Sequence, residues 1–229
     1  MDIYGQALKD YFQGKKTSKL WLYNSYGSPE DMPIDVFFRP EADMPELELI
    51  ALEMCKGKTL DIGAGVGSHA LILQSRGIDI TALEISEKAC EIMRYRKVKQ
   101  VINTNILEYE GEKYDTILML MNGIGLCETI SGLQHFLQYI KKLIEPGGQL
   151  IFDSSDIAYL YKPDDFISSN YYGEISYQYE YQKVKGKWFK WLYVDFETLT
   201  ALAERNGWHA EMIYEDEMDQ YLASLKLIN

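Results

Sequence analysis

The sequence has 229 residues, of which 47% are hydrophobic and 25% are charged, and its formal net charge is −12. This length is enough for one well-buried core, and the composition is that of an ordinary globular protein. The acidic balance argues against nucleic acid as a general partner, because such a chain repels polyphosphate.

Three further features limit the class of protein. The three cysteines, Cys55, Cys90 and Cys127, are odd in number and widely spaced, so neither a disulfide framework nor a metal site is predicted. The longest apolar stretch, "TILMLMNGIGL", is too short to span a bilayer. The first residues lack the apolar core of a signal peptide. We therefore expect reduced thiols, no membrane partner and a cytoplasmic location.

Residues 1–50 are predicted to form an N-terminal cap segment with its own character. A short amphipathic helix comes first, and an aromatic and proline-rich stretch, "KLWLYNSYGSPEDMPIDVFFRPEADMP", follows it. A second helix, "PELELIALEMCKG", leads into the next region. Residues 51–229 are predicted to form one α/β domain.

From residue 59 onwards, short apolar runs alternate with amphipathic stretches. The runs "KTLDI", "IDITALE", "KQVINTNI", "YDTILMLM" and "QLIFDSS" are typical of strands, and helical patterns separate most of them. "YDTILMLM" is apolar on both faces, as a central parallel strand should be. This βαβ rhythm predicts a doubly wound, mostly parallel sheet with helices on both faces.

The pattern changes at about residues 154–194, which are rich in tyrosine. The alternating runs "EISYQYEYQKV" and "KWFKWLYV" flank "KGK", which predicts a β-hairpin insert. After another helix, "WHAEMIYEDE" and "QYLASLKLI" are joined by a short acidic turn and must pair antiparallel. The predicted sheet therefore has seven strands, with an antiparallel pair at its C-terminal edge.

The stretch "TLDIGAGVGSHA" is the most informative in the chain. It places a strand before Gly63, Gly65 and Gly67 and a helix after them, so backbone N–H groups lie at a helix N-terminus. A P-loop would need a Gly-Lys-Ser/Thr ending, and a dinucleotide fingerprint would need glycine at position 68, which is Ser68. Asp61, at the strand end, would repel a pyrophosphate and would suit an ammonium or sulfonium group.

With Glu84 at the end of the next strand, "LDIGAGVG" resembles the cofactor site of class I S-adenosylmethionine-dependent methyltransferases. The resemblance extends to "NTNILEY", "YDTILML", "LIEPGGQLIFD" and the closing helix with its antiparallel pair. It covers roughly residues 55–153 and 195–228, and it implies a Rossmann-like domain, methyl transfer and S-adenosyl-L-methionine as cofactor.

The resemblance also implies roles for particular residues. The glycines would lie against the methionine portion, Asp61 near its ammonium group, and Glu84 at the ribose. Asn105 stands where the family usually has aspartate, and it has the alternative interpretation of a loop cap. The residues expected to contact the cofactor are Asp61, Gly63, Ala64, Gly65, Gly67, Glu84, Ile85, Asn105, Ile106, Leu120, Met121 and Asn122.

Methyl transfer from a sulfonium is an in-line displacement, so a catalytic residue is not required and no convincing one is predicted. Asn122 and Asp153, at the ends of strands, are weak substrate-facing candidates, and Asp153 is equally explained as a turn cap. The acceptor pocket is predicted from aromatic segments outside the shared core, although these could instead form a homodimer contact. Their members are Tyr23, Tyr26, Phe37, Phe38, Tyr159, Tyr161, Tyr171 and Tyr172, with Arg39 beside them.

The leading hypothesis from the sequence is a methyltransferase for a small-molecule acceptor. A nicotinamide-dependent oxidoreductase is the first alternative, and the displaced third glycine and Asp61 count against it. A non-catalytic S-adenosylmethionine-binding protein is the second, because a fold does not determine a function.

Overall fold

The computed structural model describes residues 2–16, 18–161 and 170–228, which contain twelve strands and six α-helices. The strands are β1 (Leu20–Asn24), β2 (Glu30–Met32), β3 (Lys58–Ile62), β4 (Asp79–Glu84), β5 (Gln100–Asn103), β6 (Tyr114–Met119), β7 (Ile144–Ser155), β8 (Glu174–Tyr181), β9 (Val184–Lys185), β10 (Phe189–Leu192), β11 (Trp208–Glu215) and β12 (Gln220–Leu227). The α-helices are α1 (Ile3–Phe12), α2 (Glu46–Met54), α3 (Ser68–Ser75), α4 (Glu87–Tyr95), α5 (Ile130–Tyr139) and α6 (Phe196–Arg205).

The central sheet has the strand order β11-β12-β7-β6-β3-β4-β5. The five strands from β7 to β5 run parallel, while β12 pairs antiparallel with β7 and β11 pairs antiparallel with β12. The predicted fold class, a mostly parallel seven-stranded sheet with an antiparallel edge pair, is confirmed.

Helices cover both faces of this sheet, which explains why β6 is apolar on both sides. Ile117 packs in the cluster shared with α5 and α6, whereas Leu118 packs in the cluster shared with α2, α3 and α4. Both side chains are fully buried. Since successive strand residues point to opposite faces, one strand supplies two cores. Among the described residues, the helices are all too short or too polar to cross a membrane.

A second, antiparallel sheet has the order β10-β8-β1-β2, and β9 pairs with β8. Strand β1 lies beside β8 with Leu20 opposite Tyr181 and Asn24 opposite Tyr177. The hairpin predicted in the insert is thus one part of a larger sheet that also contains the N-terminal segment. Residues 162–169 of the insert lie outside the described residues.

Trp208 anchors the C-terminal edge of the central sheet. Its side chain is fully buried, and its Nε1 donates a hydrogen bond to the carbonyl oxygen of Leu137 on α5 at 2.9 Å. The contact ties the first residue of β11 to a helix that packs on the parallel strands.

We expect Trp208→Ala to lower the free energy of unfolding by about 3–5 kcal/mol, because it leaves a large cavity and an unpaired carbonyl. Urea denaturation provides the measurement. The matched control is Met218→Ala, at a side chain that is 69% exposed, which should change stability by less than about 0.5 kcal/mol. Equal effects of the two substitutions would contradict this view of the core.

Candidate functional site

A cavity of about 1260 Å³ lies at the carboxyl ends of the parallel strands. Open α/β sheets bind ligands at this edge, and pockets for single small ligands are usually about 300–1000 Å³. The strand ends and α5 form part of its wall, while α1, residues 32–39 and the second sheet form the rest. The cavity therefore has room for two ligands side by side.

The glycine loop after β3 supplies the backbone of this wall. Gly63, Ala64 and Gly65 line the cavity, and both Gly63 and Gly65 have positive φ. Gly67 is not on the cavity wall. A Cβ at Gly67 would lie 2.8 Å from Val98 Cγ2, so this glycine allows close packing against the segment that follows α4. Gly67 thus has a packing role in the fold, and its contact with the cofactor stays a prediction.

Glu84, the last residue of β4, is buried beside this loop. Its Oε2 accepts a hydrogen bond from the N–H of Gly65 at 2.9 Å, and its Oε1 accepts one from the N–H of Ser86 at 2.8 Å. Burial raises the pKa of the Glu84 carboxyl, while these N–H groups favour its ionised form. Each oxygen keeps a lone pair for a ligand hydroxyl, and Glu84 lines the cavity.

Asp61 lies in β3, just before the glycine loop, and is only 2% exposed. Its Oδ2 has no hydrogen-bond partner among the described residues. Burial raises the pKa of the Asp61 carboxyl to about 6, although the nearby His69 acts in the opposite direction. A buried acceptor without a partner is costly, so this atom is suited to a cationic or hydrogen-bond-donating ligand.

Glu48 of α2 joins two basic side chains of the cavity wall. It forms an ion pair with Arg39, and its Oε2 accepts a hydrogen bond from Nε2 of His69 at 2.8 Å. Glu41, which is close to Arg39 in the sequence, pairs instead with Arg76. The Nε of Arg39 is buried without a partner among the described residues, so it is a free donor for an anionic group.

Ile85, Asn105 and Ile106 line the cavity beyond Glu84. The Oδ1 of Asn105 accepts a hydrogen bond from the N–H of Leu107 at 3.0 Å and caps a short 3-10 turn. This is the loop-cap role that the sequence left open. The cap uses one lone pair of the amide oxygen, and the other side-chain atoms remain for a ligand.

Of the predicted site residues near β6 and β7, two line the cavity and two do not. Leu120 and Met121 line the cavity, whereas Asn122 and Asp153 do not. The N–H of Asn122 donates to Oδ2 of Asp153 at 2.8 Å, and Nε2 of Gln220 donates to the same oxygen at 2.7 Å. Burial raises the pKa of the Asp153 carboxyl to about 6. Its position fits the turn-cap interpretation, and a substrate contact of either residue stays a prediction.

One side of the cavity is an aromatic wall made of Trp191, Phe189, Tyr179, Tyr4 and Phe37. Neighbouring ring centroids along this series are 6.4, 5.1, 5.6 and 5.2 Å apart, so the rings form a continuous surface. It comes from β10, β8, α1 and the segment before α2.

Among the described residues, Phe37 is the only aromatic residue predicted for the acceptor pocket that lines the cavity. The alternation in "KWFKWLYV" indicates that Phe189 and Trp191 share one face of a strand, but it does not show what that face lies against.

Comparisons with known proteins give a consistent picture. Residues 60–152 match a family described as "Methyltransferase domain". A crystal structure of an S-adenosylmethionine-dependent methyltransferase from Bacteroides fragilis, in complex with S-adenosyl-L-homocysteine, is 39% identical, covers 100% of this chain and 95% of that chain, and has a TM-score of 0.93. The CcbJ methyltransferase from Streptomyces caelestis shares the fold at 12% identity and a TM-score of 0.68, over 99% and 98% of the two chains.

A curated relative, the ubiquinone biosynthesis O-methyltransferase of Coxiella burnetii, is 29% identical over 117 residues. The match covers 46% of this chain and 48% of that protein, so it spans less than half the length of the relative.

We expect Asp61→Asn to stabilise the ligand-free protein above pH 6. The pKa of Asp61 is raised on folding, so its contribution to stability is complete below about pH 4 and is lost as pH rises through about 6. Asparagine avoids the buried charge, and we expect an unfolding temperature several degrees higher at pH 8. Thermal unfolding at pH 8 and pH 4 provides the measurement. A variant that is less stable than the wild type at pH 8 would contradict the burial of an unpaired charge.

Proposed function

The chain belongs to the S-adenosylmethionine-dependent methyltransferases, and from this premise we propose that it methylates a small molecule bound in the cavity beside the cofactor. The observation that carries the proposal is the pair of buried carboxylates, Asp61 and Glu84, on either side of the glycine loop. One has an oxygen without a partner, and the other is held by backbone N–H groups.

The residues present fit S-adenosyl-L-methionine. Glu84 would accept hydrogen bonds from both ribose hydroxyls. The free Oδ2 of Asp61 would meet the ammonium group of the methionine portion, and the free Nε of Arg39 would meet its carboxylate. Gly63 and Gly65 would let this portion lie close to the backbone, because neither has a side chain in the way.

The other lining residues extend this arrangement. Ile85 and Ile106 would enclose the adenine, and the side chain of Asn105 would approach its polar edge. Leu120 and Met121, at the end of β6, would form the floor below the reactive methyl group. In this arrangement the acceptor has the remaining space between α5 and the aromatic wall.

When bound, S-adenosyl-L-methionine supplies a methyl group made electrophilic by the attached sulfonium. The task of the chain is to hold the acceptor atom in line with that methyl group, since positioning alone contributes much of the acceleration in such reactions. The aromatic wall gives this space an apolar side, and its ring faces attract positive charge. No developing oxyanion needs to be stabilised.

A small acceptor is favoured by the enclosure of the cavity. The second sheet and α1 cover the strand ends, so a folded macromolecule would have to displace them. The relative from Coxiella burnetii is named for ubiquinone biosynthesis, which also involves a small-molecule acceptor. The net charge of −12 argues against nucleic acid.

We expect S-adenosyl-L-homocysteine to bind with a Kd in the micromolar range, and Glu84→Gln to raise this Kd by roughly 10- to 100-fold, because one carboxylate oxygen becomes a donor. Isothermal titration calorimetry provides the measurement. Glu110→Gln is the matched control, since Glu110 is exposed and lies outside the cavity wall. No detectable binding to the folded wild-type protein would contradict the proposed function, and an unchanged Kd for Glu84→Gln would remove the ribose assignment.

A further inference from the structure

Glu128 has an unusual backbone conformation at the start of α5. Its φ of 66° and ψ of −44° lie close to those of a γ-turn with positive φ, a strained arrangement for a residue with a side chain. The N–H of Thr129 donates to the carbonyl oxygen of Cys127 at 2.7 Å, which closes this turn around Glu128. Strain of this kind is destabilising and persists where the surrounding structure enforces it.

The surrounding residues do enforce it. The N–H of Glu128 donates to the carbonyl oxygen of Gly125 at 2.9 Å, and Thr129 caps α5 by accepting from the N–H of Gly132. A Cβ at Gly132 would lie 1.9 Å from the carbonyl oxygen of Cys127, so only glycine leaves room for the turn. Hydrogen bonds on both sides and a glycine opposite thus hold Glu128 in place.

The turn brings a carboxylate to the acceptor side of the cavity. Glu128 lines this cavity together with Thr129, Gly132 and His135, and it is exposed, so its carboxylate is open to a ligand. Trp191 lies next to the turn, because a Cβ at Gly125 would be 2.0 Å from its Nε1. An exposed carboxylate therefore stands beside the end of the aromatic wall.

Carboxylate together with aromatic ring faces is a combination that attracts cationic nitrogen. Asp61 and Glu84 belong to the proposed cofactor contacts and Asp2 caps α1, which leaves Glu87 and Glu128 as the acidic residues of the cavity wall that are open to an acceptor.

We propose that the methyl acceptor is an amine on a planar or apolar body, bound along the aromatic wall, and that Glu128 is the residue that selects the amine. This inference rests on the proposed function, because it concerns the acceptor half of the same cavity. Glu128 accepts a hydrogen bond from an N–H of the acceptor, and the rings of Trp191 and Phe189 hold its body.

The chemistry agrees with this placement. An alkylamine binds at pH 7 as its ammonium, so it first releases one proton to solvent. The lone pair of the resulting neutral amine then forms the new nitrogen–carbon bond, while the carbon–sulfur bond breaks and its electron pair stays on sulfur. The positive charge therefore moves from sulfur to nitrogen, and the product leaves as a methylated ammonium with its N–H protons retained. The carboxylate of Glu128 stabilises the charge that develops on nitrogen, which is the side where it is needed.

Three indole probes test the proposal on the protein saturated with S-adenosyl-L-homocysteine. Tryptamine, tryptophol and indole-3-propionate share a ring and a two-carbon chain and end in an amine, an alcohol and a carboxylate. We expect calorimetry at pH 7 to give a Kd for tryptamine at least roughly tenfold below those of the other two, which corresponds to about 1.4 kcal/mol. Binding of S-adenosyl-L-homocysteine itself is measured first, so a failure of the proposed function is recognised separately.

The variants assign the preference to Glu128. Glu128→Gln should remove most of the preference for tryptamine, whereas Glu211→Gln, at an exposed residue outside the cavity wall, should keep it. Glu128→Gly should also lose the preference while its unfolding temperature stays equal to or above that of the wild type, because glycine tolerates positive φ.

Several results would overturn the proposal. They are equal or tighter binding of tryptophol or indole-3-propionate, no binding of any probe at millimolar concentration, or a preference for tryptamine that survives in Glu128→Gln. A lower unfolding temperature for Glu128→Gly would contradict the strain on which the placement of Glu128 depends.

Discussion

The hydrogen bond from the N–H of Gly65 to Glu84 is the contact on which the site depends. It joins the loop after β3 to the end of β4, two neighbouring parallel strands whose carboxyl ends meet at one edge of the sheet. The bond holds the loop in the positive φ conformation and leaves Asp61 buried on its other side. Backbone donors offset part of the cost of burying Glu84, whereas Asp61 keeps a buried oxygen without a partner among the described residues.

The second sheet completes the cavity. Strand β1 comes from the N-terminal segment and β8–β10 come from the insert, so two distant parts of the chain are needed to build it. Together with α1 they present a continuous row of aromatic rings to the strand ends. We propose that this row of rings adds an acceptor space to the cofactor-binding fold.

Much of the fold could be predicted from the sequence because its signals are local. Alternating apolar runs and the glycine loop identify the parallel strands, and the short acidic turn requires an antiparallel edge pair. The pairing of β1 with β8 could not be predicted, since the two strands are separated by more than a hundred residues. Neither strand's sequence specifies which of their residues lie opposite one another. For this reason most of the aromatic residues expected near the acceptor do not line the cavity.

Some of the site residues could be predicted from the sequence, and others could not. Asp61, Gly63, Gly65 and Glu84 follow from the motif, because their places relative to the strand ends are set by the chain itself. The packing of Gly67 against Val98 could not be predicted, because the motif does not contain Val98. Asn122 follows β6 and Asp153 lies within β7, and the hydrogen bond between them could not be predicted from either segment.

A crystal structure of the complex with S-adenosyl-L-homocysteine is the most direct test of this site. We predict that both ribose hydroxyls lie within hydrogen-bond distance of Glu84, that the amino group lies within such distance of Asp61, and that the sulfur faces the space beside the aromatic wall. A ligand whose ribose contacts neither oxygen of Glu84, or whose sulfur points away from the aromatic wall, would contradict the arrangement.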